Sequence, residues 1–217
     1  RKANSASYNL PLLPAAAIML ILIDIVDIFK IQPKTIIKVF HLAGLALGLG
    51  GAVLLDMLAI RFLIKQKISA EFYEIFKHSS QVVFWGLCLL WLSGIAYLIY
   101  YYLADYHSLF NQKVWAKLFI VVILSMNGWW IHRRILPLMQ GSINGYLFKT
   151  LSVNQRRVLL CSSVISILSW GIPLLLGACK ELNFCISAFT ILFIYFSLLI
   201  LGLITACALP KYVHGFK

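Results

Sequence analysis

Six long apolar stretches occupy almost the whole of this 217-residue chain. A helix crosses the roughly 30 Å of membrane hydrocarbon with about 20 apolar residues, and each stretch reaches that length. Strands of a membrane barrel would alternate apolar and polar residues over about 10 positions, whereas these runs are continuous. The sequence therefore predicts an all-α integral membrane protein built as a bundle of six transmembrane helices. The predicted spans are Leu10–Phe29, Thr35–Leu63, Ser79–Ala104, Val114–Pro137, Val158–Cys179 and Asn183–Pro210.

The basic residues orient this bundle. If both termini are cytoplasmic, that side carries more than twice as many Lys and Arg residues as the other, which is the asymmetry expected of membrane proteins. The net charge of +12 is thus explained by topology, and its spread over several short connections argues against a nucleic-acid partner. Basic residues near a membrane surface attract anionic headgroups by about 1 kcal/mol each, so the expected partner is the lipid bilayer. Trp129 and Trp130, near the end of the fourth span, are typical interface anchors.

Short connections between the spans predict a single membrane domain over residues 1–217. The longest connection, residues 138–157, is cytoplasmic on this topology. It divides a four-helix core, residues 1–137, from an accessory helical hairpin and tail, residues 158–217.

The five cysteines include no CxxC pair and no CxxCH haem-attachment motif, which argues against a thiolate metal site or a c-type cytochrome. Cys179 and Cys185 flank a tight turn on the predicted outer side. Two interpretations stay open for them: a disulfide that staples the last hairpin in an oxidising compartment, and two free thiols at the membrane interface.

A stripe of small residues follows a histidine in the second span. His41, Gly44 and Gly48 share one helix face at 100° per residue. Small residues at this spacing allow another helix backbone to approach closely, and they equally leave clearance for a flat cofactor. Because ionisable residues inside membranes are costly and often functional, His41 favours the cofactor.

Two further histidines are predicted to meet at the cytoplasmic edge. The third helix is predicted to begin at His78, and His132 shares a face of the fourth span with Gly128. Paired imidazoles on facing helices are a common way for a four-helix bundle to hold haem b, because such bundles build cofactor sites from facing side chains. The alternative is that both histidines belong to a solvated basic rim. His41 has a histidine partner only in His107, which falls in a connection.

Several short motifs carry a resemblance to a known group of proteins. They are His41-x-x-Gly44, Leu89-Leu-Trp-Leu-Ser93-Gly94, Trp115-Ala-Lys117, Asn127-Gly128 and His132. Over residues 35–137 the chain resembles small bacterial polytopic membrane proteins that are similar to four-helix di-haem b cytochromes. The resemblance implies haem ligands in cross-helix pairs near both membrane faces and a location in the bacterial inner membrane. The position of His107 departs from that pattern.

Intramembrane carboxylates support a rival interpretation. A buried acid can carry protons or bind cations. Asp24 and Asp27 lie near the outer end of the first span, where a solvated helix end is the alternative. The predicted proton or ion path consists of Asp56, Arg61, Lys117 and Asn127. For Asp56 the alternative is an internal ion pair with Arg61.

The leading prediction is a membrane electron-transfer protein with haem b, in which His78 and His132 are axial ligands and His41 is a further candidate ligand. Gly44, Gly48 and Gly128 would give the haem clearance, and quinone would be the redox partner. The rivals are a small proton- or cation-coupled transporter that uses Asp56, and a non-catalytic subunit that completes a larger membrane complex with other subunits. No hydrolase, nucleotide-binding or zinc-protease signature occurs in the chain.

Overall fold

The computed structural model describes residues 32–64, 69–141, 143 and 152–212. Within these residues every regular element is helical. The main helices are α1 (Pro33–Ile64), α2 (Ala70–Ala104), α3 (Gln112–Trp130), α4 (Leu136–Gln140), α5 (Val153–Ala178) and α6 (Ala188–Tyr212). A π-helical turn, Ile131–Ile135, joins α3 to α4, and short 3-10 helices cover Tyr106–Phe110 and Lys180–Leu182.

Five helical segments in the described part are long and apolar enough to cross a membrane. They are Pro33–Ala59, Ala70–Ala104, Gln112–Gln140, Val153–Ala178 and Ala188–Ala208. The predicted all-helical, membrane-spanning class is confirmed for these five segments, each of which overlaps a predicted span. The predicted first span, Leu10–Phe29, lies outside the described residues together with Asp24 and Asp27.

Helix α2 begins earlier than hydropathy indicates. Ser69 caps it by accepting a 3.2 Å hydrogen bond from the N–H of Phe72, and Glu71 lies in the first turn, where a negative charge favours the helix dipole. The prediction that this helix begins at His78 is therefore wrong. The charged first two turns, which include the Glu74–Lys77 ion pair at 3.7 Å, extend the helix beyond the apolar stretch and leave His78 well inside it.

Helices α1 and α2 approach each other at backbone distance. A Cβ on Gly44 would lie 2.9 Å from the backbone nitrogen of Leu90, and a Cβ on Gly86 would overlap the backbone of Gly48. The indole of Trp170, from α5, fills the space in front of Gly48. Small residues at helical spacing are what such close packing needs.

The N-terminus of α3 holds the hairpin formed by α5 and α6. The ammonium group of Lys113, only 3% exposed, donates to the carbonyl oxygen of Cys179 at 2.6 Å and to Oδ1 of Asn183 at 2.9 Å. The backbone N–H of Ala188 donates to Oε1 of Gln112 at 2.7 Å. A buried cation thus satisfies carbonyls at the C-terminus of α5, where the helix dipole favours positive charge.

The same end of the bundle carries an ion pair between α1 and α2. Nζ of Lys34 lies 3.6 Å from Oδ2 of Asp105, to which the Ser108 hydroxyl also donates at 2.7 Å. The hydrogen bond from Ser108 and the charge of Lys34 hold the pKa of the Asp105 carboxyl below its ordinary value. Lys34 also lies over the rings of Tyr100 and Tyr101.

Large apolar side chains cover the outward faces of the helices. Leu103 is 76% exposed and Phe189 is 79% exposed, and many other large apolar residues are similarly bare. Water would oppose so much apolar surface, so the described helices are suited to contact with lipid.

Candidate functional site

Asp56 opens into a small cavity between α1, α2 and α5. The cavity has a volume of about 60 Å³, enough for several water molecules. Its polar lining consists of the half-buried Asp56 from α1 and Ser162, Ser163 and Ser166 from α5. The Ser163 hydroxyl is within hydrogen-bonding reach of the Asp56 carboxyl group. We call this space the Asp56 cavity.

The rest of the Asp56 cavity is apolar. Ile131 and Ile135 contribute to it from the π-helical turn, and Phe76 from α2. Single π turns inside α-helices are frequent at functional sites. A carboxyl group and three hydroxyls in an apolar chamber form an all-oxygen site, suited to a proton or to a hard cation.

Asn127 joins α3 to α5 beside this cavity. Its Nδ2 donates to the carbonyl oxygen of Ser162 at 3.0 Å, and the Ser162 hydroxyl donates back to its Oδ1 at 2.9 Å. Both residues are buried, so the pair is a fully used two-way hydrogen bond and we call it the Asn127–Ser162 clasp. The predicted path member Asn127 therefore lies next to the Asp56 cavity, with its amide committed to Ser162.

Lys117 lies at a different level of the bundle from Asn127. Ten residues of α3 separate the two, which is about 15 Å along the helix axis. Its ammonium lies 3.8 Å from the position of a Cβ on Gly177, and its charge acts on the imidazole of His41. Lys117 forms no hydrogen bond to a residue that the structure describes. The side chain of Arg61 lies outside what the structure describes.

His41 is held in one orientation by α2. Its Nδ1 lies 2.9 Å from Oγ of Ser93, and its ring packs edge-on against Tyr97 at 5.6 Å. The single hydroxyl hydrogen of Ser93 points to the carbonyl oxygen of Leu89 at 2.7 Å, which can only accept. Ser93 therefore accepts from Nδ1–H of His41, and the imidazole lone pair is left on Nε2.

The structure does not bring His78 and His132 together. Nδ1 of His78 lies 3.3 Å from Oε1 of Gln81, whereas the ring of His132 packs edge-on against Phe84 at 6.3 Å. Both histidines are exposed. No hydrogen bond or ring contact joins these two described residues, so the geometry does not fit a haem held between them.

The remaining haem-clearance residues differ in their surroundings. Gly44 and Gly48 pack against helix backbone and the Trp170 indole, as described above, whereas a Cβ on Gly128 would meet nothing within 4 Å. His107 packs against Phe184, with ring centres 4.6 Å apart, and not against His41. Haem ligation thus stays a prediction, and among the described residues no group of three or more His, Cys, Asp or Glu side chains could hold a metal ion.

The cysteines form a pairing that the sequence did not suggest. Cys179 and Cys185 are free thiols in this structure, so the disulfide between them stays a prediction. Cys161 of α5 and Cys207 of α6 instead bring their sulfur atoms to 3.7 Å.

Comparison with known proteins gives no relative: no family model, curated protein or solved structure matches the chain. The site must therefore be judged on its geometry. The residues that sequence reasoning missed are the serines of α5. Ser162, Ser166 and Ser169 are spaced four and three residues apart on one face of an otherwise apolar span, and small polar residues in that pattern were the available signal.

Proposed function

We propose that this chain moves protons or small cations through a membrane and that Asp56 is the group that carries them. The observation that supports this most directly is the Asp56 cavity, in which a carboxyl group faces three serine hydroxyls inside a helix long enough to span the bilayer. A carboxyl group placed among lipid-spanning helices is costly unless it serves such a role, and acidic residues in these positions mark proton relays and ion sites.

The serines suit this task chemically. Each hydroxyl can donate to the ionised carboxylate or accept from the protonated acid, so the lining serves both charge states of Asp56. The same hydroxyl oxygens, together with the carboxylate, can replace water around a small hard cation.

The finer topology belongs to this proposal. Six spans, with both termini in the cytoplasm of a bacterial cell and the protein in the inner membrane, follow from the apolar stretches and the charge asymmetry. On that topology Asp56 lies in the cytoplasmic half of the bundle, and the Lys113 end faces outward.

Flux in proteoliposomes tests the proposal. The full chain is reconstituted in vesicles that enclose a pH-sensitive dye, and a pH or sodium gradient is applied across the membrane. Asp56→Asn should reduce flux to the level of protein-free vesicles, because the amide neither ionises nor releases a proton. The matched control is Glu74→Gln, which removes one negative charge from an exposed position of α2 and should leave flux unchanged.

Two results would contradict the proposal: wild-type flux equal to that of empty vesicles, or Asp56→Asn with the wild-type rate. Ser163→Ala provides a second variant that changes the cavity lining with little change in volume, and it should slow the flux without abolishing it. Circular dichroism and size-exclusion profiles establish that each variant is folded.

A second candidate function is haem-b electron transfer, with quinone as the redox partner. Its support is His41, because metal-binding histidines typically donate the second ring N–H to a neighbouring acceptor, as His41 does to Ser93. The dithionite-reduced minus oxidised spectrum of the purified chain should then show Soret and α bands, lost in His41→Ala and kept in His107→Ala. A wild-type chain without these bands would eliminate the haem and leave the transporter or a non-catalytic subunit of a larger complex.

A further inference from the structure

A large apolar groove runs between α3 and α5, on the opposite side of the Asn127–Ser162 clasp from the Asp56 cavity. Its volume is about 960 Å³, at the upper end of the range for small-molecule sites in proteins. The lining is Ile123, Met126, Trp129 and Trp130 from α3 and Val158 and Ile165 from α5, with a few small polar groups at its base. We call it the α3–α5 groove.

One end of this groove carries positive charge. The guanidinium of Arg133 stacks over Trp129 at 5.0 Å, and that of Arg134 stacks over Trp130 at 5.6 Å. Both tryptophans line the groove, so each arginine is held at its mouth by a residue of its wall. Arg157 stands on the other wall, immediately before Val158.

These guanidinium groups have no acidic partner in the described structure. The two ion pairs among the described residues involve other residues, Lys34 with Asp105 and Lys77 with Glu74. Arg133 and Arg134 are exposed, and Nε of Arg157 is buried without a hydrogen-bond partner. An anion at the mouth of the groove would meet several unpaired donors, and guanidinium groups match phosphate oxygens with paired hydrogen bonds.

The level of the groove in the membrane selects the ligand. Tryptophan flanked by arginine is typical of the boundary between headgroups and hydrocarbon. From Trp130 the groove extends along α3 to Ile123, seven residues or about 10 Å deeper along the helix axis. A ligand that fits is apolar over that depth and anionic at the boundary.

We propose that the α3–α5 groove binds one anionic glycerophospholipid, with an acyl chain against Trp129, Met126 and Ile123 and the phosphate at Arg133 and Arg134. Charge complementarity favours this ligand over a zwitterionic lipid, because the cationic mouth attracts a net negative headgroup. It also favours lipid over a second copy of this chain, since two like mouths would repel. The proposal does not depend on the flux assigned to Asp56.

Native mass spectrometry of the detergent-purified full chain tests it. Titration with phosphatidylglycerol should retain one lipid per chain at concentrations at which phosphatidylcholine is lost. Arg133→Gln with Arg134→Gln should weaken retention of phosphatidylglycerol roughly 30-fold, from about 1 kcal/mol per arginine. The matched control, Lys38→Gln with Lys180→Gln, removes two exposed charges elsewhere and should retain the lipid as the wild type does.

A groove-filling variant tests the apolar half separately. Met126 lines the groove and is 66% exposed, so Met126→Trp fills space without straining the core and should displace the bound lipid with no change in charge. Equal retention of the two lipids by the wild type would overturn the proposal. So would a chain dimer that Met126→Trp disrupts, since the groove would then be an interface between copies.

Discussion

Replacing Gly86 with alanine tests the close approach of α1 and α2. The new Cβ would overlap the backbone nitrogen of Gly48 and lie 2.7 Å from its Cα and 3.0 Å from the carbonyl oxygen of Gly44. These atoms are helix backbone and cannot rotate away as a side chain would. The two helices must therefore separate by about 0.7 Å to reach the 3.4 Å at which ordinary contact begins.

The expected loss follows from this displacement. Overpacking a tight interface costs typically about 1–3 kcal/mol, and the rigid backbone contact points to the upper part of that range. Alanine also favours a helix over glycine by up to about 1 kcal/mol, which would mask part of the loss. Gly94→Ala, in the same helix with nothing within 4 Å of its Cβ, gains the same term without the clash.

Unfolding of both variants in mixed micelles, with the denaturing detergent as the variable and circular dichroism as the signal, gives the comparison. Gly86→Ala should be less stable than Gly94→Ala by about 1–3 kcal/mol. Equal stability, or a more stable Gly86→Ala, would refute the backbone-distance packing described for these helices.

Two further predictions concern the end of the bundle that carries Lys113. Lys113→Met should lower the free energy of unfolding by about 1.5–3 kcal/mol, because it removes charged hydrogen bonds to the α5–α6 turn, and protease cleavage in that turn should increase; Lys180→Met, at an exposed position, is the control and should change neither. Asp105 has a lowered pKa in the folded chain, so its carboxylate stabilises the fold fully above about pH 4 and loses this effect as the pH falls through the folded pKa. Thermal unfolding at pH 3 and pH 6 should therefore show a smaller difference for Asp105→Asn than for the wild type, and an identical difference would count against the Ser108 and Lys34 contacts.

The sequence predicts well what depends on hydropathy alone. Five spans overlap the helices of the structure because a membrane-crossing helix must be apolar over a fixed length. The start of α2 escaped this reasoning, since its first two turns carry Glu71, Glu74 and Lys77. A capping serine and not apolarity determines where that helix begins.

Contacts between helices were harder to predict. Topology assigned His78 and His132 to the same membrane face, yet their rings contact Gln81 and Phe84. The height of a residue in the membrane follows from chain position, whereas the direction of its side chain depends on how each helix is rotated by its packing. The small-residue stripe at Gly44 and Gly48 was more informative, because the absence of a side chain constrains the neighbour directly.

The same limit applies to the Asp56 cavity. Asp56 was recognised as a costly charge in a span, but its serine neighbours lie more than 100 residues further along the chain. No local periodicity connects them. The Asn127–Ser162 clasp is a similar long-range pair, in which both amide atoms of one side chain match one serine.

The position of those serines on α5 also affects how the protein is made. Synthesis proceeds from the N-terminus at about 5–20 residues per second, so α1 and Asp56 emerge well before Ser162, Ser163 and Ser166. Until α5 arrives, the carboxyl group lacks the hydroxyls that line its cavity and Gly48 lacks the Trp170 indole. A truncated or stalled chain would therefore present an uncompensated acid to lipid, which gives quality control a chemical mark by which to distinguish unfinished chains from complete ones.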